Sequence, residues 1–117
     1  MTDNTTVTTL LDATSQAAGS ITLSLVDLGN LDMETATIAA RASSGNITIT
    51  GKYSINADGD FKYPSTAFDI ISTVTGTTNP KGRIKDGGSD DWGAYLEVVV
   101  TTTGTADIEV YLVGQNR

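Results

Sequence analysis

The stretch "AYLEVVVTTTGTADIEVYLVG", Ala94 to Gly114, alternates apolar and polar residues on both sides of a Thr-Gly-Thr turn. A period of two places alternate side chains on one face of a strand. Leu96, Val98 and Val100 then form one inward face, and Ile108, Val110 and Leu112 form the other. Glu97, Asp107 and Glu109 point outward. The two runs read as a hairpin, with Gly104 in the turn.

The same period recurs upstream. In "SITLSLVDL", Ile21, Leu23 and Leu25 share a face. In "TATIAARAS", Ala36, Ile38, Ala40 and Ala42 do so. In "NITITGKYSI", Ile47, Ile49, Tyr53 and Ile55 oppose Thr48, Thr50, Lys52 and Ser54. Gly51 falls on the apolar face, which suggests a bulge or a close approach of the facing sheet. Asp58-Gly59 is a favoured turn pair and predicts a second hairpin. "TVTTLLDAT" and "AFDIISTVT" are weaker strand candidates, and Pro64 and Pro80 mark breaks or edges. No segment reads as a long helix, and "LDMETATIAARA" reads as a turn entering a strand. "GTTNPKGRIKDGGSDDWG" is the one long loop.

Composition supports this pattern. Threonine supplies 20 of 117 residues, and β-branched side chains suit a pleated, half-buried surface. The expectation is an all-β chain, an antiparallel β-sandwich or jelly roll of about eight or nine strands. Residues 1–6 are expected to be a flexible arm, and 7–117 a single sandwich domain.

Charge and residue types narrow the chemistry. The formal net charge is −7, with seven basic residues. Gripping a phosphate backbone needs clustered cations, so nucleic acid is disfavoured. Cysteine and histidine are both absent from the chain. That removes disulfides, thiolate metal sites and the commonest general base. A carboxylate pair remains conceivable for glycoside hydrolysis, but nothing singles out one pair among the 14 acidic residues. The expectation is no catalysis and no cofactor. No window reaches the ~20 apolar residues of a membrane helix, so no membrane partner is expected. The opening residues lack a basic n-region and a long apolar run, so no signal peptide is read there.

Four constellations are candidate sites. Asn56, Asp58 and Asp60 alternate like the start of a calcium loop. An EF-hand fails here, because Gly59 precedes the third ligand and position twelve is Ala67. A hairpin turn explains the same residues, and the segment is also similar to an Asp-box hairpin. In "DGGSDDWGAY", Asp86, Asp90 and Asp91 are candidates for a hard cation, and Trp92 with Tyr95 for stacking on a sugar. Trp92 capping the core, or contacting a protein partner, competes with that reading. The basic trio Lys81, Arg83 and Lys85 is a candidate contact for an acidic patch on a neighbouring subunit. Thr5 and Thr6 in the arm are candidates for pairing with a neighbour's sheet edge.

"YSINADGDFKYP" resembles the strand, Asp-Gly turn, aromatic strand unit of small phage-encoded β-sandwich virion proteins. "DWGAYLEVVVTTTGTADIEVYLVGQ" resembles their terminal hairpin, a style that discoidin-like sandwiches share. The resemblance covers about forty residues and brings no motif to carry over residue by residue. It implies a virion protein made in the host cytoplasm, a capsid decoration or head or tail accessory. Its partners would be capsid or tail subunits and copies of itself. A carbohydrate-binding or lectin-like sandwich, using Trp92, Tyr95, Tyr63 and Phe61 on a glycan, is the alternative. A subunit of a surface filament or layer is the third reading.

Overall fold

The computed structural model describes residues 4–85 and 93–117. Among them lie nine strands: β1 (Thr5–Gln16), β2 (Gly19–Thr22), β3 (Val26–Asp27), β4 (Thr37–Ala42), β5 (Asn46–Ser54), β6 (Lys62–Thr75), β7 (Lys81–Arg83), β8 (Tyr95–Thr102) and β9 (Ala106–Gln115). One turn of 3-10 helix, Gly76–Thr78, is the only helix among the described residues.

Every pairing among the described residues is antiparallel, and five of them nest. β1 pairs with β9, β2 and β3 pair in succession with β8, β4 pairs with β7, and β5 pairs with β6. The chain is thus one long folded hairpin with the β5–β6 turn at its tip. Rolling that hairpin brings β4 beside β9 and β5 beside β8. The result is two sheets, β1-β9-β4-β7 and β2-β8-β5-β6, with β3 continuing the β2 edge. This is the strand order of a jelly roll.

The core follows the alternation. Leu96, Val98, Val100, Ile108 and Val110 are fully buried, and Leu112 nearly so. Ala36, Ile38, Ala40, Ala42, Ile47, Ile49 and Tyr53 join them. Gly51 does leave room, but for side chains of its own sheet. A Cβ there would meet Ile70 and Phe68 of β6 and Leu96 of β8. The β5–β6 register slips between Ile49 and Thr50, which face Ile71 and Asp69. That irregularity lets Ile70 and Ile71, adjacent in sequence, both be buried.

The structure corrects four expectations. Ile55 lies past the end of β5 and is exposed, while Ser54 is buried and its hydroxyl donates to the Asn56 carbonyl. Leu25 sits in the gap between β2 and β3 and is only half-buried. Thr5 and Thr6 are not in an unpaired arm, because they open β1 opposite Gln115 and Gly114. The long loop contains β7, whose Lys81 and Arg83 pair with Ala39 and Thr37. Its register is anchored by Ile84, fully buried just after the strand. Pro64 lies in β6, an edge strand, and Pro80 directly precedes β7, the edge of the other sheet.

The two open sides of the sandwich differ. On one side β7 presses against β6, and a Cβ on Gly82 would stand 2.0 Å from the Ile70 carbonyl oxygen. Only glycine permits that approach. On the other side β1 and the β2–β3 edge diverge. A groove runs between them, lined by Thr6, Thr8, Leu10, Leu25, Val26 and Leu31.

Candidate docking face

The outer face of the β1-β9-β4-β7 sheet is built from register alone. One row across the strands reads Val7, Val113, Thr37 and Arg83. The next reads Thr9, Tyr111, Ala39 and Lys81. Their sequence neighbours Leu112, Ile38 and Ala40 are buried inward, so these side chains point outward. The middle of the face is therefore threonine, valine, alanine and tyrosine, with Lys81 and Arg83 along the β7 edge and Arg41 at one end. Val7 is 62% exposed.

A polar cluster closes one end of this face. Arg41 and Glu109 are directly opposite on β4 and β9 and form an ion pair. Tyr111 Oη donates to Glu109 Oε1 at 2.7 Å. The Arg41 hydrogen bond, then that from Tyr111, holds the Glu109 carboxyl below the usual carboxylate range. Accepting the same bond, Glu109 pushes the Tyr111 hydroxyl above its ordinary value. Asp12 lies opposite Glu109 on the β1 side.

The basic trio is divided. Lys81 and Arg83 are exposed on β7, at the edge of the face. Lys85 turns away, with Nζ 2.5 Å from Glu34 Oε1. Of the arm residues, Thr5 falls on the outer face beside Val7, whereas Thr6 faces the groove.

Asn56, Asp58 and Asp60 lie in the turn between β5 and β6. Asn56 Nδ2 donates to Asp60, the Gly59 amide donates to the Asn56 carbonyl at 3.2 Å, and Gly59 has φ +71°. These are the bonds of a tight turn. No group of three or more acidic or other metal-binding side chains is assembled among the described residues. The turn carries two exposed apolar side chains, Ile55 and Phe61, at 55% and 56%. The Phe61 ring meets Tyr63 edge-on at 6.1 Å. Tyr95 opens β8 opposite Ser54 and is half-buried. Asp86, Asp90, Asp91 and Trp92 lie outside the described residues.

Sequence reasoning missed the outer face itself. Its rows join residues from four strands far apart in the chain, and only the pairing partners bring them together. The signal within reach was the outward half of each alternating run, read there as solvated. Comparisons with family models, with curated proteins and with solved structures found no match.

Proposed function

We propose that this chain is a non-enzymatic structural protein of a virion that docks onto a repetitive assembly, a phage capsid or tail. The outer face of the β1-β9-β4-β7 sheet carries this reading. It is uncharged at its centre, bears Val7 and Tyr111, and is edged by Lys81 and Arg83. Protein contact surfaces are depleted of charge at the core and polar at the rim. Jelly rolls occur among viral capsid domains, which agrees with the phage resemblance, although fold alone does not assign function. The acidic remainder of the molecule, at −7 overall, suits a particle surface better than a nucleic-acid contact.

A glycan-binding reading has one observation in its favour. Phe61 is exposed and stands in the same turn as Asn56 and Asp60, an aromatic beside hydrogen-bonding groups. The test separates the two readings. Quantitative mass spectrometry of purified particles should find this chain at a fixed multiple of the assembly symmetry, and Lys81→Glu with Arg83→Glu should reduce its incorporation at least tenfold. Absence from particles, with binding to immobilised glycans abolished by Phe61→Ala, would overturn the docking reading.

A further inference from the structure

Most cations among the described residues already have a partner. Arg41 pairs with Glu109, Lys62 with Glu97 and Lys85 with Glu34. Lys52 lies directly opposite Glu97, and Arg117 donates to the Gly29 carbonyl. Lys81 and Arg83 are the exception. Both are exposed, neither enters an ion pair among the described residues, and they stand opposite Ala39 and Thr37. Being two residues apart on β7, they share its outer face, about 7 Å from one another along the strand. In a chain of net charge −7, this is a local positive site without an internal counter-charge.

The acids can be sorted the same way. Asp27, Asp32 and Asp107 accept from the amides of Gly29, Glu34 and Ser15. Asp12 stands opposite Glu109, beside the Arg41 pair. Asp69 is exposed on β6 but single. Asp58 and Asp60 are exposed two residues apart in the β5–β6 turn, and neither enters an ion pair among the described residues. The same turn holds Ile55 and Phe61, two of the four exposed large apolar side chains among the described residues. Its shape is fixed by the Asn56–Asp60 and Gly59–Asn56 hydrogen bonds, and Gly59 packs on Leu25. A preformed turn gives up little freedom on binding.

We propose that the β5–β6 turn of one copy docks on the β7 edge of a second copy, with Asp58 and Asp60 against Lys81 and Arg83. Ile55 and Phe61 then cover the uncharged residues next to β7, Ala39 with Tyr111 and Thr37 with Val113. Apolar contact inside a charged rim is the usual anatomy of an interface. The turn and the β7 edge are different patches, so the contact can repeat from copy to copy across a lattice. Exposed ion pairs contribute little singly. The contact is therefore weak in free protein and strengthens when copies are held close together on an assembly.

The inference rests on the reading of the chain as an assembling protein, and it names a second copy as the partner at the β7 rim of the outer face. Its test is separate, because particle content reports docking whereas sedimentation of the purified chain reports this contact. The unsubstituted chain should associate by about 1 mM, the order of effective concentration among linked copies. Lys81→Glu with Arg83→Glu, and separately Asp58→Lys with Asp60→Lys, should each weaken association about tenfold or more, since like charges then face each other. The second variant carries less net negative charge, so general repulsion between copies predicts the opposite for it. An equimolar mixture of the two variants should associate again, because the turn of each then meets a β7 edge of opposite charge. Circular dichroism checks that both variants are folded. A parent that stays monomeric, variants that associate like the parent, or a mixture no stronger than its components would each overturn the proposal. Loss of Lys81→Glu with Arg83→Glu from particles, with sedimentation unchanged, would leave the docking reading standing and overturn this contact.

Discussion

Val98 and Val99 are neighbours in sequence, yet they face opposite sides of β8. Val98 is fully buried against the core, and Val99 is half-buried on the outer face between Thr22 and Thr50. Val98→Asp strands a carboxylate without a partner and should cost about 4 kcal/mol or more. Val99→Asp should cost about 1 kcal/mol. Chemical denaturation measures both, and equal losses would mean that the register is wrong. Glu109 gives a pH-dependent counterpart. Arg41 and Tyr111 hydrogen-bond its charged form, so its folded pKa is depressed. Such a group stabilises above its unfolded value, about 4.3, and loses that contribution as pH falls through the lower folded value. Glu109→Gln should melt below the parent at neutral pH, and the gap should close in acid. A gap that persists unchanged in acid would assign the effect to packing.

At the level of elements, the alternating runs made β4, β5, β8 and β9 legible, because a strand buried on one face writes its period into the sequence. β7 was not legible. Three residues, Lys81, Gly82 and Arg83, are too few to show a period, and what fixes them is pairing with the distant β4, with room only for glycine at position 82 against the Ile70 backbone. The strand character of β1 was visible in "TVTTLLDAT", but that window starts at Thr6, one residue late, and residues 1–6 were read as an arm. Thr5 and Thr6 look like an arm until Gln115 and Gly114 are known to lie opposite. The outer face of the β1-β9-β4-β7 sheet was hidden for the same reason, since its outward residues look solvated one strand at a time. Gly82→Ala tests the element-scale account. Its Cβ has no room against the Ile70 carbonyl, so β7 must move. The loss should sit at the upper end of the ~1–3 kcal/mol of overpacking. A loss below about 0.5 kcal/mol, typical of free surface sites, would show that β7 does not press on β6.

For the whole molecule, the governing feature is the nested pairing of β1 with β9, β2 and β3 with β8, β4 with β7, and β5 with β6. Composition and alternation pointed to a sandwich, while the strand order came from contacts between distant segments, which no local pattern encodes. That order leaves one side closed by Gly82 and the other open beside β1. It also makes β1, a 12-residue strand with two register shifts, an edge of the β1-β9-β4-β7 sheet. The central claim is therefore that residues 6–9 of β1 are a regular strand laid against β9, with alternate residues bonded to it. Residue-resolved amide hydrogen exchange at high dilution tests it most directly. The amides of Thr6 and Thr8, bonded to β9, should exchange at least a hundredfold more slowly than those of Val7 and Thr9. Four slow amides would place β1 inside a sheet, and four fast ones would restore the unpaired arm; either result would contradict the account.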